Sequence, residues 1–309
     1  MRPEFSAAIR PGRLLTLLRL FFAPVALGAT TVLGFAPFAF YLVPLFTLTA
    51  LLLLWLRCHT RIEAATVGFA FGAGLFLAGT SWVYVSLHDF GAMPMPLAAI
   101  FTILFCAFLA LFPAAVGYAC ARSGMRHAVR YGLLAPAAWV LAEWTRSWIF
   151  TGFPWLALGY SQIPSSPLAG YAPVLGIHGV TLATAASAGL IVIWWLATSD
   201  KAEGRRQKAE GESPNARSVF SFILHPSSFI LIAIWLGGFG LQQIEWTEPV
   251  GAPVNVSLLQ GNIAQDLKWQ EGRVPVTLKT YSALAWTSSS PLIILPETAL
   301  PLFLEQVPQ

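Results

Sequence analysis

The segment PLAAIFTILFCAFLALFPAAVGYACA, residues 96–121, runs for 26 residues without a charged side chain. A helix needs about 20 mostly apolar residues to cross a lipid bilayer, so this segment predicts a transmembrane helix. The rest of the chain is similar, because 56% of its 309 residues are hydrophobic and only 10% are charged. A soluble domain carries roughly 25% charged residues. The composition therefore predicts a membrane protein and excludes a disordered chain, a disulfide-rich secreted scaffold and an ordinary soluble enzyme.

Apolar stretches of spanning length occur on both sides of this segment. They predict a multi-pass α-helical membrane bundle with about seven spans, at residues 16–34, 39–56, 64–87, 96–121, 132–150, 174–197 and 219–240. Of the 18 lysines and arginines, 14 lie in the N-terminal arm and in every second connection. Because basic residues mark cytoplasmic connections, the N-terminus is predicted in the cytoplasm and the residues after about 240 on the opposite side. This pattern also explains the net charge of +4 without a nucleic-acid partner.

Cysteines and histidines show no pattern that predicts a metal site. Cys58, Cys106 and Cys120 lie in or beside apolar stretches, and neither a CxxC pair nor a Cys/His cluster occurs. No GxxxxGK[ST] phosphate-binding loop is present either, so no cofactor is predicted. Gly68 and Gly72 have the small-xxx-small spacing, which predicts close packing of two membrane helices.

Two charged residues fall inside the fifth predicted span. Glu143 and Arg146 are three residues apart, so they share one helix face and can pair. Charges at membrane depth usually face a protein interior or a wet cavity. One interpretation is a lipid-headgroup or gate site, and the other is a structural pair near the far interface.

Two connections on the predicted far side are rich in glycine, proline and aromatic residues and almost free of charge. They are residues 82–96 and 151–173. Trp and Tyr prefer the headgroup level of a membrane, so we expect the longer connection to be re-entrant or to lie on the surface. Two such segments facing one compartment could hold a lipid, although an ordinary aromatic belt explains them nearly as well. On the cytoplasmic side, residues 199–218 read as a solvated linker.

The pattern changes after Gln243. Residues 254–259 predict a short strand, residues 266–287 an amphipathic helix, and residues 291–295 a buried strand. This order predicts the start of an α/β domain. Glu297 follows the second strand directly, and a partly desolvated carboxylate there is a candidate general base, although many strands end in a solvated glutamate.

Six stretches together resemble a known family. They are GFAPF (34–38), SWVYVSLHDFGAMP (81–94), TGFPWLALGYSQI (151–163), PLAGYAPVLGIHGV (167–180), QGNIAQDLKWQEG (260–272) and ILPETALP (294–301). The chain resembles the bacterial apolipoprotein N-acyltransferases of lipoprotein maturation, in the nitrilase-like carbon–nitrogen hydrolase superfamily. The resemblance implies an inner-membrane helical bundle (1–243, with the linker 199–218 inserted) and a periplasmic nitrilase-like αββα domain, of which residues 244–309 are an incomplete N-terminal part.

The resemblance also implies a reaction and its residues. The family transfers a fatty acyl group from a membrane phospholipid, through a cysteine thioester, to the α-amino group of a diacylglyceryl-cysteine on an apolipoprotein. Glu297 matches the family's general base, and Trp269 matches an aromatic residue near the active-site entrance. The family's catalytic lysine and cysteine would follow residue 309, so the chain by itself is expected to be a truncated, inactive form.

Two other functions remain open from the residues alone. One is a membrane-tethered amidase of the same superfamily, which would not need the aromatic connections. The other is a non-enzymatic membrane protein, which is disfavoured because no clear internal repeat and few intramembrane charges occur.

Overall fold

The computed structural model describes residues 18–121, 124–208, 225–264, 267–268, 270–300 and 302. The chain divides into two compact units, of which the first contains Met1–Tyr84 and Pro94–Trp246 and the second Val85–Met93 and Thr247–Gln309. The assignment of residues 1–243 and 244–309 to a membrane domain and a nitrilase-like domain stays a prediction.

The first unit is mostly helical, and its described residues include no strand. Its main helices are α1 (Ala23–Thr31), α2 (Leu42–Leu56), α3 (Arg61–Gly79), α4 (Met95–Cys120), α5 (Ala135–Arg146), α6 (Ala172–Lys208) and α7 (Pro226–Gln242). Among the described residues, three helices are long and apolar enough to cross a membrane, namely Arg61–Gly79, Met95–Cys120 and Pro167–Ser199. The predicted mostly helical fold with apolar helices of membrane-spanning length is therefore confirmed, whereas the number of seven spans stays a prediction.

The prediction of one continuous span at residues 64–87 is wrong. Helix α3 ends at Gly79, and a separate short helix, Trp82–Val85, follows after a break. Thr80 leaves the helical region with φ −126° and ψ 15°, while its hydroxyl still donates to the carbonyl oxygen of Phe76 at 2.7 Å. The apolar run 82–87 misled the prediction because hydropathy does not register a change of backbone direction.

Glycines allow the helices of the first unit to approach closely. A Cβ atom at Gly68 or Gly72 would overlap the backbone of α4 at Pro113 and Ala110, and one at Gly28 would overlap the carbonyl oxygen of Phe71. Helix–helix association in membranes relies on such small residues, because lipid supplies little hydrophobic drive. The prediction that Gly68 and Gly72 serve close helix packing is confirmed.

The start of α3 follows from a local capping pattern. The Thr60 hydroxyl accepts from the Glu63 backbone N–H at 3.0 Å, and the Glu63 carboxylate accepts from the His59 N–H at 2.7 Å. This reciprocal arrangement satisfies backbone donors that a helix start leaves free. Nearby, the Trp55 indole donates to the Ala64 carbonyl at 3.0 Å, which joins the end of α2 to α3.

Helix α6 extends further than the predicted span 174–197. The backbone is helical from Ala172 to Lys208, with a kink at Gly176, where φ is +64°. Residues 199–208, predicted as the first part of a solvated linker, therefore continue the helix, because Lys, Ala, Glu, Arg and Gln are good helix formers. The rest of that linker, residues 209–218, lies outside the described residues.

The second unit contains a small β-α-β arrangement. Strand β1 (Val256–Leu258) pairs in parallel with strand β2 (Leu292–Ile294), and helix α8 (Val274–Thr287) connects them. The order of the predicted elements is thus confirmed. The second strand is not buried as predicted, since Leu292 and Ile294 each remain 46% exposed.

Candidate functional site

Helix α5 is followed by a tightly folded connection. It contains the 3-10 turns Ile149–Thr151, Leu158–Gln162 and Pro167–Tyr171. Three of its non-glycine residues have positive φ angles: Phe150 at 50°, Thr151 at 77° and Leu156 at 57°. Such conformations cost free energy and persist only where the surroundings hold them, so contacts must hold this connection in place.

Arg146 supplies one set of these contacts. Its side chain is 3% exposed, and its Nη1 atom donates to the carbonyl oxygens of Phe153 at 2.5 Å and Trp155 at 2.6 Å. The Phe153 N–H donates back to the Arg146 carbonyl at 2.9 Å. The guanidinium also lies 5.3 Å from the centre of the Phe76 ring, which favours a cation there. Arg146 thus joins the first half of the connection to α3 and α5.

Glu143 supplies a second set, one helical turn earlier. Its Oε1 atom accepts from the Trp139 indole at 2.9 Å and the Leu158 N–H at 2.8 Å, and its Oε2 accepts from the Thr181 hydroxyl at 2.8 Å. The Thr181 hydroxyl in turn accepts from the Gly159 N–H at 2.9 Å. Two successive amides of the connection, at residues 158 and 159, are therefore held by one buried carboxylate and its partner.

Glu143 and Arg146, which could pair by their spacing, form no direct ion pair. Within the described part of the chain, no nitrogen of Arg146 lies within 4 Å of a Glu143 oxygen. Both residues face one side of α5, as predicted, but each finds partners on the adjacent connection. Of the two interpretations, the structural one describes these contacts better.

An apolar cleft opens where this connection meets the ends of α1 and α3. It has a volume of about 530 Å³, within the range of ligand pockets, and ten residues line it: Val32, Phe35, Ala36, Gly79, Trp82, Pro154, Trp155, Leu156, Tyr160 and Ile163. Trp82 and Trp155 meet edge to face at 5.5 Å between ring centres. Their two aromatic segments were predicted to face one compartment, and these two side chains do line one cleft.

Several aromatic side chains of the cleft remain accessible. Trp155 is 51% exposed, Tyr160 48% and Trp82 45%. None of the ten lining residues carries a formal charge. The cleft is therefore suited to an aliphatic chain, while its indole N–H and phenol groups can reach polar atoms at its rim.

The second unit brings two sequence motifs to one edge of its sheet. QGN (260–262) follows β1, and PET (296–298) follows β2. Since the strands are parallel, both motifs lie at the carboxyl ends of neighbouring strands, where open α/β sheets place their ligand sites. The Leu259 N–H extends the pairing by donating to the Ile294 carbonyl at 2.9 Å.

Glu297 lies at this edge, next to a lysine. The Lys268 Nζ atom donates to the backbone carbonyl of Glu297 at 2.9 Å, which links the QGNIAQDLKW stretch to the PET stretch. The Glu297 side chain is exposed, so the described residues do not desolvate its carboxylate as expected. Trp269, the predicted entrance residue, lies outside the described residues.

Sequence reasoning missed the contacts of Lys268 and Thr181. Lys268 lies inside a quoted motif, so its position was a usable signal, but its partner carbonyl is 29 residues away. Thr181 gave no signal in the sequence, because threonines are common in membrane helices.

The cysteines all lie in the first unit, where Cys106 Sγ and the Thr80 hydroxyl are 3.3 Å apart. No group of three potential metal ligands occurs in the described ranges.

Comparisons with known proteins cover most of the chain. A family model described as the apolipoprotein N-acyltransferase N-terminal domain matches residues 27–190. The chain is 47% identical to the apolipoprotein N-acyltransferase of Nitrosomonas europaea over 93% of this chain and 53% of that protein. It is 42% identical to that of Chromobacterium violaceum, over 99% and 54%, and 40% identical to that of Methylococcus capsulatus, over 89% and 50%. The chain thus spans about half the length of these relatives.

Proposed function

The chain belongs to the apolipoprotein N-acyltransferase family, and on that premise we propose that it acts in transferring a fatty acyl group from a membrane phospholipid to an apolipoprotein. The acceptor is the α-amino group of the N-terminal S-diacylglyceryl-cysteine. Three relatives with this name, 40–47% identical over at least 89% of the chain, support the assignment.

The proposed reaction has two steps through a thioester. A cysteine thiolate attacks the phospholipid ester, and the lysophospholipid leaves and takes up a proton. The amine then attacks the thioester, loses a proton and releases the thiolate. Glu297 is proposed as the general base that accepts and returns these protons, a role that its place at the carboxyl edge of the sheet supports. Trp269 is proposed to lie near the entrance of that site.

The observation that favours acyl transfer between lipids over hydrolysis of a small amide is the uncharged aromatic cleft of the first unit. An amidase acting on a soluble substrate has no use for such a cleft at the end of membrane helices. We propose that the cleft takes an acyl chain of the phospholipid donor.

Replacing Trp155 by alanine tests the role of the cleft. We expect acyl transfer in the full-length protein to fall about tenfold, because the substitution removes the aromatic pair with Trp82, worth roughly 1 kcal/mol, and part of the chain-binding wall. The control is Trp148→Ala, since Trp148 is similarly exposed at 54% but packs against Trp144 and does not line the cleft. Full activity of the Trp155 variant would favour the amidase.

We further propose an inner-membrane protein with seven spans, a cytoplasmic N-terminus and a periplasmic second unit. The alternating basic connections and the apolar helices support this arrangement.

Cysteine labelling tests that arrangement. In a background with the native cysteines replaced by serine, Val250→Cys, at a 98% exposed position, should react with a membrane-impermeant maleimide in intact spheroplasts. Met125→Cys, at a 46% exposed position between α4 and α5, should react only after the membrane is opened. The reverse pattern would contradict both the topology and a periplasmic reaction.

A further inference from the structure

The peptide group before Leu156 and the one between Ala157 and Leu158 are held by buried charges. The carbonyl of Trp155 accepts from Arg146 at 2.6 Å, and the N–H of Leu158 donates to Glu143 at 2.8 Å. Leu156 and Ala157 lie between these two anchored groups, and Leu156 has a φ of +57°. For a leucine this left-handed conformation costs about 1–2 kcal/mol, so it requires such anchors.

The side chain of Leu156 forms a wall of the cleft because of this conformation. It lines the cleft together with Trp155 and Gly79. A Cβ atom on Gly79 would overlap the Leu156 Cδ1 atom, so the leucine packs directly onto the end of α3. A different φ at this residue would turn the side chain away from α3 and change the outline of the cleft.

Neither charged residue lines the cleft itself. Glu143 is 7% exposed and Arg146 is 3% exposed, and both lie behind Leu156. Any influence of Glu143 and Arg146 on a ligand in the cleft would therefore pass through the backbone of the connection.

We propose that Glu143 and Arg146 form a clamp that holds Leu156 in its left-handed conformation, so that both act as positioning residues for the acyl chain of the phospholipid. The inference rests on the proposed function of the cleft. It assigns a role in ligand binding to a pair of buried charges that would otherwise count only as structural.

A pair of isosteric threonine variants tests the clamp. Thr181→Val removes the donor to Glu143 and the acceptor of the Gly159 N–H. Thr184→Val is the matched control, because Thr184 lies on the same helix, is equally buried and bonds only to the Val180 carbonyl. Glu143→Gln is a second variant that keeps the shape of the side chain and removes its charge.

The measurement uses the chain in detergent and a phosphatidylethanolamine with a photoreactive diazirine in its acyl chain. Labelling of peptide 150–163, read by mass spectrometry, gives the lipid concentration at half-maximal labelling. We expect this concentration to rise about tenfold for Thr181→Val and for Glu143→Gln, and to stay within about twofold for Thr184→Val. Equal effects of the two threonine variants, or none in either, would overturn the clamp.

Hydrogen exchange separates this inference from the proposed function. The Leu158 and Gly159 amides should exchange at least about tenfold faster in Thr181→Val than in Thr184→Val, whether or not lipid is present. Unchanged exchange would overturn the clamp while leaving the lipid cleft intact. Absence of labelling in the unmodified chain would instead reject the cleft as a lipid site, and the positioning role with it.

Discussion

Replacing Glu297 by glutamine is expected to lower acyl transfer about a thousandfold in the full-length protein. A general base contributes roughly 10²–10⁴ to a rate, and glutamine has the same shape but cannot accept a proton. The backbone contact with Lys268 uses the carbonyl of residue 297 and not its side chain, so the local fold should survive. The measurement is transfer of a labelled acyl group from phospholipid to a diacylglyceryl peptide.

The matched control for this prediction is Glu248→Gln. Glu248 is also an exposed carboxylate of the second unit, but it lies outside both strands and outside the PET motif. It should keep full activity. If Glu297→Gln retained more than about a tenth of the activity, proton transfer by this carboxylate would be rejected as the source of the rate. Equal losses in both variants would point to the net charge of the unit.

Replacing Gly68 by leucine is expected to cause the largest loss of stability. A Cβ atom at this position would overlap the Pro113 carbonyl of α4, and the next nearest atom is the Ala114 Cα at 3.0 Å. Both are backbone atoms, so the neighbour cannot give way as a flexible side chain would. Overpacking costs about 1–3 kcal/mol, and the upper end corresponds to a fall in melting temperature of roughly 6–12 °C.

Gly240→Leu provides the control for Gly68→Leu. Gly240 is also a helical glycine, in α7, but a Cβ atom there meets nothing within 4 Å. Both variants gain the same side chain and lose the same backbone freedom. Melting of the purified chain in detergent should therefore fall only for Gly68→Leu. A similar melting temperature for the two variants would mean that the close approach of α3 and α4 does not limit stability.

Some of the architecture followed directly from local sequence patterns. Apolar length predicted Met95–Cys120, and the spacing of Gly68 and Gly72 predicted close packing of helices. Alternation and helical periodicity predicted the order strand, helix, strand in the second unit. These features depend on residues that are neighbours in the chain, so their physical causes are visible in the sequence.

Other features depended on partners distant in the chain. Glu143 and Arg146 are three residues apart and could pair, yet the Glu143 carboxylate bonds to Thr181, 38 residues later, and Arg146 to carbonyls of the next connection. A main-chain carbonyl or amide is present at every residue and leaves no signature in the sequence. Competition between such partners is decided only when the helices pack.

The sequence by itself determined that this chain carries apolar segments long enough to cross a membrane, which family it resembles and which carboxylate is the candidate base, because hydropathy, charge distribution and motifs are local properties. The tertiary structure alone decided that α3 stops at Gly79 and that Trp82, Trp155 and Leu156 line one cleft. It also decided that QGN and PET meet at one edge of a parallel sheet. Each of these features depends on the direction of the backbone and on contacts between residues far apart in the sequence. Such contacts stabilise the protein only once the chain has packed.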